Sequence, residues 1–303
     1  MSKDHIIPRF ILRGFALDPT ENKKHQKIMI YDKETKQPFV EEINDAYALE
    51  DFNSDETERY LANKYESKVA KFFRRISETV DMDQKLVTFS ESEYKLLIRF
   101  FVIMWRRNDI QLEKAKEMAS QFENIMKSLS GVNYNKLFNA KCDGQSFEKI
   151  LNDNIDDIRV AFYDKVIRET TNDDPTVLKT IRHYRPVIVE NKSKIHFLLH
   201  NTYSTLRYMV PKNQSEVSEA DVPSIMLYPI SKTLCFCLLY NEKGTEFFKN
   251  TIDVPIECWS RDDDIKLHFI DGYITQTAKS FIVDETNVEF VKRSLNCLIP
   301  KNR

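Results

Sequence analysis

Apolar and polar positions follow two textures along this chain, and each predicts a different element. Ser54 precedes Asp55 and Glu56, and Leu61, Tyr65, Val69, Phe72 and Ile76 then recur at spacings of three and four. That is the pattern of an N-capped amphipathic helix. Ser90 and Glu93 form a capping-box pattern ahead of a segment from Glu91 to about Leu129 that contains neither Pro nor Gly. Its first half, LLIRFFVIMW, is apolar almost all round, which predicts a helix buried among other elements. Its second half is amphipathic, with Leu112, Met118, Phe122, Ile125 and Leu129 as inward positions. A further helix is predicted over 147–169, with Ile150, Leu151, Ile155, Ile158, Phe162 and Val166 on one face, before Asn172-Asp173-Asp174-Pro175 breaks the chain.

The second texture is a two-residue alternation or a short β-branched run. Lys27 to Glu42 places Ile28 and Ile30, then Phe39 and Val40, on either side of the polar turn Lys33-Glu34-Thr35-Lys36, which predicts a β-hairpin. After Pro186 come PVIVE, KIHFLLH, TLRYMV, SIMLYPI and TLCFCLLY, read as strands of one antiparallel sheet. From Ile270 the pattern turns helical again through Ile274, Ala278 and Ile282, and Val288 to Leu298 closes the chain. The expected fold class is α+β: a mostly helical N-terminal two-thirds with a β-hairpin, then an antiparallel sheet and closing helices. Residues 1–303 are expected to form one domain, or two lobes over 1–180 and 181–303.

Composition narrows the function classes. The 45 Lys and Arg nearly balance the 47 Asp and Glu, so the global field does not draw the chain to nucleic acid. No apolar run approaches the ~18 residues of a membrane span, and the charged N-terminus MSKDHIIPRF does not read as a secretory signal. The five cysteines, Cys142, Cys235, Cys237, Cys258 and Cys297, are odd in number and unpatterned, as expected of reduced thiols. A soluble, cytoplasmic protein is therefore expected. The chain has five glycines, no two close together, where about 7% is usual. Walker and dinucleotide-binding loops need clustered glycines to let the backbone approach an anion, so both are excluded and no cofactor is expected.

The opening KDHIIPRFILRGFA resembles the N-terminal signature of the bacterial family called domain of unknown function 4238, a His-x-x-Pro-x-x-x-Leu-x-x-Phe pattern matched by His5, Pro8, Leu12 and Phe15. KIMIYDKETK is similar to that family's strand ending in Tyr-Asp-Lys, and ETERYLANKYESKVAKFFRRI to its first long helix. RFFVIMWRRNDIQ resembles its Phe-Ile-Ala segment followed by Arg-Thr-Pro, with Arg107 at the arginine and Asn108 and Asp109 in place of threonine and proline. IHFLLHNTYS resembles a strand ending in Ser-Asp-Asn-Pro, of which Asn201 is retained while His200 and Thr202 replace the aspartate and proline. SIMLYPISKTLCFCLLY is similar to the family's Pro-Leu-Ser strand pair, and DGYITQTAKSFIV to its closing helix. The resemblance implies an accessory protein of a mobile element or defence system and carries no reaction.

Four groups of residues are candidates for chemistry. Asp4-His5 superficially resembles the strand of an HNH nuclease, but His25 precedes a strand where that site needs a ligand on a following helix. The alternative is that Pro8 starts a short helix whose Ile11, Leu12 and Phe15 dock on the core while His5 anchors the segment by hydrogen bonds. His196 and His200 stand four apart, yet Phe197 sits where a zincin pattern requires an acid, so no metal site is expected. Cys235 and Cys237 share a strand face and read as buried small hydrophobes. Arg106 and Arg107 end an apolar helix, where a guanidinium needs a partner: an ion pair within the fold, with Asp109 or Glu113 as candidates, or an anionic ligand.

Two function classes follow. One is a non-catalytic binding or regulatory module whose partner is another protein or an anionic ligand. The other is a hydrolase, a metal-dependent phosphodiesterase or nuclease, with His5, Arg9, Arg107, His200 and Asn201 converging at the N-terminal motif. In that site His5 would carry a proton, Arg107 hold an anionic group and Asn201 orient either one.

Overall fold

The computed structural model describes residues 3–50, 52–107, 160, 164–201, 203, 205–208, 223–241, 243, 250–265 and 279–298. The second half of the expected central helix, most of the helix expected over 147–169 and the segment from Ile270 to Ala278 lie outside the described residues. The chain is α+β. Strands appear early, so the expected helical N-terminal two-thirds is not clearly matched: five strands precede the long helix Glu91–Arg106.

The N-terminal strand β1 (Lys3–His5) pairs antiparallel with β4 (Ala48–Glu50). The signature then turns into helix α1 (Arg9–Leu12), with Pro8 at its N-cap, and a tight turn over Arg13–Phe15. Ile11, Leu12 and Phe15 are buried, as their helical spacing predicts. Gly14 lies so close to the backbone of the turn at 230–231 that a Cβ there would stand 2.3 Å from the Ile230 carbonyl oxygen. Only glycine fits this approach. Its own carbonyl accepts from the Lys232 N–H at 3.1 Å.

The hairpin forms as expected from β2 (Lys27–Asp32) and β3 (Gln37–Glu42). It belongs to a four-stranded antiparallel sheet ordered β3-β2-β12-β7, where β12 is Ser280–Val283 and β7 is Leu199–His200. A second, six-stranded sheet is ordered β5-β11-β6-β10-β9-β8. Its strands are β5 (Leu86–Ser90), β6 (Tyr184–Asn191), β8 (Thr205–Tyr208), β9 (Pro223–Pro229), β10 (Leu234–Tyr240) and β11 (Thr251–Trp259). The sheet is mixed because β11 runs parallel to β6.

Two expectations are corrected here. The strands after Pro186 do not form one antiparallel sheet, because KIHFLLH contributes only Leu199 and His200, and these pair with β12 in the other sheet. Ile282 is not helical: Phe281, Ile282 and Val283 pair with Tyr31, Ile30 and Met29. SFIV is a short apolar run of the kind whose state periodicity cannot decide.

Helix α2 (Asp55–Leu61) begins at Ser54, whose hydroxyl accepts from the Thr57 N–H. It widens into one π-turn over Ala62–Glu66 before continuing as α3 (Ser67–Asp81). Leu61, Tyr65, Val69, Phe72 and Ile76 form its buried face. Helix α4 (Glu91–Arg106) opens on the reciprocal capping box of Ser90 and Glu93. Leu97, Phe101 and Met104 are buried, and Phe101 stacks on Tyr228 of β9 at 3.9 Å between ring centroids. Helix α5 (Pro175–His183) starts where a break was expected: the Asp174 carboxylate caps the Thr176 and Val177 N–H groups and Pro175 occupies the first turn. Among the described residues no helix is long and apolar enough to cross a membrane.

Candidate functional site: a buried polar cluster at the end of the central helix

Arg106 and Arg107 leave the end of α4 toward different surroundings. Arg106 donates to both Asp174 carboxylate oxygens at 2.7 and 3.1 Å, to Thr170 Oγ1 at 3.0 Å and to Thr176 Oγ1 at 2.9 Å. This is a satisfied bidentate pair, tying α4 to the start of α5. The partner is Asp174; Asp109 and Glu113 lie outside the described residues.

Arg107 is the C-cap residue of α4, and only 1% of its side chain is exposed. Its guanidinium lies over the Phe52 ring, 5.4 Å from the centroid, and its Nη2 is 3.7 Å from Glu58 Oε1. That distance is an ion pair without a hydrogen bond. None of the three guanidinium nitrogens has a hydrogen-bond partner among the described residues. The same neighbourhood holds three more buried polar atoms in that condition: Asn53 Oδ1, Thr57 Oγ1 and Asp164 Oδ1. Leaving even one such atom unsatisfied costs about 1–3 kcal/mol. They belong to one connected polar cluster, because Asn53 bonds Glu58, Glu58 is the ion-pair partner of Arg107, and Asp164 is reached through Ser54.

Local structure explains the gathering. Asp4 in β1 accepts the Asn53 N–H at 3.2 Å, fixing the strand against the turn that leads into α2. The Asn53 side-chain amide donates to Glu58 on the first turns of α2. Ser54 accepts from the Thr57 N–H and donates its hydroxyl to Asp164 Oδ2 at 2.7 Å, so among the described residues one carboxylate oxygen of Asp164 is bound and the other is not. Glu66 closes the π-turn, a helix irregularity that recurs at functional sites.

Burial raises the pKa of Glu58, reinforced by the charges of Asp4 and Asp164 and opposed by Arg107. Burial likewise pushes Glu66 up to about 6, with Glu58 adding to the shift and Arg107 and Arg9 opposing it. The cluster thus joins a guanidinium fork to two carboxyl groups that burial makes harder to ionise, with Glu66 raised to about 6.

Of the residues expected from sequence, three lie in or beside this cluster. Arg107 is its centre, and Arg9 is an exposed charge on α1 whose field reaches Glu66 and His5. His5 sits next to Asp4 with its Nε2 3.1 Å from the Ile43 carbonyl oxygen, and burial lowers its pKa. His200 and Asn201 end β7 in the four-stranded sheet. His200 packs edge-on against Phe281, and burial first, then the Lys33 charge, lower its pKa to about 3. The Asn201 N–H donates to the Ser280 carbonyl at 3.4 Å. His196 is instead bonded through Nδ1 to Asp284 Oδ2 at 2.6 Å. Cys235 and Cys237 are buried, with their sulfurs 3.7 Å apart. No group of three or more potential metal ligands occurs among the described residues.

Asn53, Thr57, Glu58, Glu66 and Asp164 were not expected from the sequence. One signal was available: Glu58 stands three residues before Leu61 and so extends the buried stripe of Leu61, Tyr65 and Val69 with an acid.

Comparison with curated proteins finds no match, and neither does comparison with solved structures. The family model described as "Protein of unknown function (DUF4238)" matches residues 3–300, in agreement with the resemblance carried by His5, Pro8, Leu12 and Phe15, and the chain belongs to that family.

Proposed function

We propose that this protein is a binding or regulatory module, and that the polar cluster around Arg107 is where its ligand group docks. What carries the reading is the buried Arg107 guanidinium, whose three nitrogens have no hydrogen-bond partner among the described residues while both terminal nitrogens of Arg106 beside it are bonded. A fold gains nothing from an unbonded buried fork, whereas a binding site needs donors already aimed and desolvated. The family resemblance implies a bacterial mobile-element or defence system as the setting, in the cytoplasm.

Hydrolysis is the second reading. It is supported by Glu66, whose pKa of about 6 suits a general acid or base near neutral pH. His5 and Arg9 belong to this reading at the rim of the cluster. His200 and Asn201 do not enter it.

Thermal-shift measurements across a panel of small metabolites test the docking reading. Wild type is expected to gain stability with at least one compound that leaves Arg107→Met unmoved. Identical responses of the two proteins to every compound contradict it.

A further inference from the structure

The unbonded atoms of the cluster are of two kinds, and the combination selects a ligand chemistry. Arg107 presents Nε, Nη1 and Nη2, which are donors only. Asp164 Oδ1 and Asn53 Oδ1 are acceptors only, and Thr57 Oγ1 can serve either way. An ion that offers lone pairs alone would satisfy the guanidinium and leave both acceptors facing a negative charge. A neutral donor would satisfy the acceptors and leave the guanidinium bare. Resting on the docking reading above, we infer that the group bound here is a phosphate that carries a proton, either the free ion or a phosphomonoester, and that sulfate of the same shape is refused.

The atoms balance in that arrangement. Unprotonated phosphate oxygens accept from Arg107, for which the planar fork is suited. The phosphate O–H donates to Asp164 Oδ1, the oxygen left open because Ser54 donates to Oδ2 at 2.7 Å. Asn53 Oδ1 is a second acceptor, which the second O–H of the dihydrogen ion fills and which a phosphomonoester monoanion, with one O–H, leaves to another donor. Sulfate has no proton near neutral pH and would press an oxygen lone pair against a carboxylate.

Charge sets the pH dependence. Asp4 on β1, Glu58 on α2, Glu66 on the π-turn and Asp164 in the helical turn over 164–169 are acidic, and Arg107 and Arg9 oppose them. An incoming anion is therefore accommodated best when Glu66 holds its proton, which happens below about pH 6. A phosphomonoester's second ionisation falls at about the same pH, so both the site and that ligand gain the needed proton together.

Calorimetric titration of the full chain at about pH 6 and at about pH 8, with inorganic phosphate, glycerol 3-phosphate and sulfate at matched ionic strength, tests this. Phosphate is expected to bind at least about tenfold more tightly than sulfate, which corresponds to one hydrogen bond exchanged for one repulsive contact. Binding should weaken at least about tenfold at the higher pH. Glycerol 3-phosphate binding as well as phosphate identifies an esterified ligand, and its exclusion identifies the free ion. Arg107→Met should abolish binding, and Asp164→Asn should bring phosphate and sulfate within about threefold, because a carboxamide can turn an N–H toward either. If Asp164→Asn does not fold, the wild-type ratio of phosphate to sulfate decides alone. Equal binding of sulfate and phosphate, both lost in Arg107→Met, would overturn the proton requirement and leave the docking reading standing. Absence of phosphate binding in a wild type no more stable than Arg107→Met would overturn the phosphate ligand only. Absence of binding together with an Arg107→Met as unstable as Arg106→Met would overturn both.

Discussion

Arg106 and Arg107 are chain neighbours at the end of one buried helix, and they solve the problem of a partly or wholly buried guanidinium in opposite ways. Arg106 has a bidentate carboxylate and two threonine hydroxyls around it. Arg107 is the more deeply buried, 1% against 25% side-chain exposure, and has the poorer partner set. His200 represents a third solution, because a buried imidazole can give up its charge and an arginine cannot. Paired, neutralised and left open are three states of a buried base, and only the open one, that of Arg107, calls for something from outside the fold.

The largest expected effect calibrates the helix that carries both arginines. Phe101→Ala removes a fully buried ring stacked on Tyr228, and should cost about 3–5 kcal/mol in urea denaturation. A loss below about 1 kcal/mol would mean that α4 is peripheral and that burial at its end means little. Arg106→Met strands Asp174, whose side chain is 9% exposed, and should cost about 3 kcal/mol. A near-neutral result would remove the contrast between the two arginines.

The remaining effects are pH dependences. His200 binds its proton less well folded than unfolded, so its contribution is present above its ordinary pKa of 6.5 and is lost as pH falls toward about 3. Between the ordinary value and pH ~5 the loss should be about 2 kcal/mol, and it should be missing in His200→Gln. Glu66 has the opposite sign, since its raised pKa means that the folded state holds the proton more tightly. Stability should therefore fall as pH rises from 4.5 to about 6, by about 1 kcal/mol after allowance for partial exposure, and Glu66→Gln should flatten that step. A His200 or Glu66 variant that titrates like wild type would show that the group is not buried in solution.

Local signals in the sequence carried much of the architecture. The Ser54 cap, the Ser90–Glu93 capping box and the apolar stripe from Leu61 to Ile76 each name an element that is present. Sheet assignment was not legible, because which strands pair depends on contacts distant in the chain. β5 finds β11 and β2 finds β12, partners separated by more than half the chain, and no local periodicity records such pairing. Asp174-Pro175 was ambiguous for a different reason: the residues that end one helix also start the next. The polar cluster was half legible. Arg107 stood out as a charge closing an apolar run, whereas Asn53 and Asp164 look like ordinary cap and surface residues until the chain brings them together.

The central claim is that Arg107 is held for a ligand rather than for the fold, and parallel urea denaturation of Arg107→Met and Arg106→Met at about pH 5.5 tests it most directly. Glu66 is then largely protonated, and Glu58, whose pKa burial also raises, keeps the bond from the Asn53 amide after its ion-pair partner is removed. An unbonded buried guanidinium replaced by a well-packed apolar chain should leave stability within about 1 kcal/mol of wild type or above it, while Arg106→Met loses about 3 kcal/mol. Equal losses of that size in the two variants would contradict the claim and make Arg107 a structural residue like its neighbour.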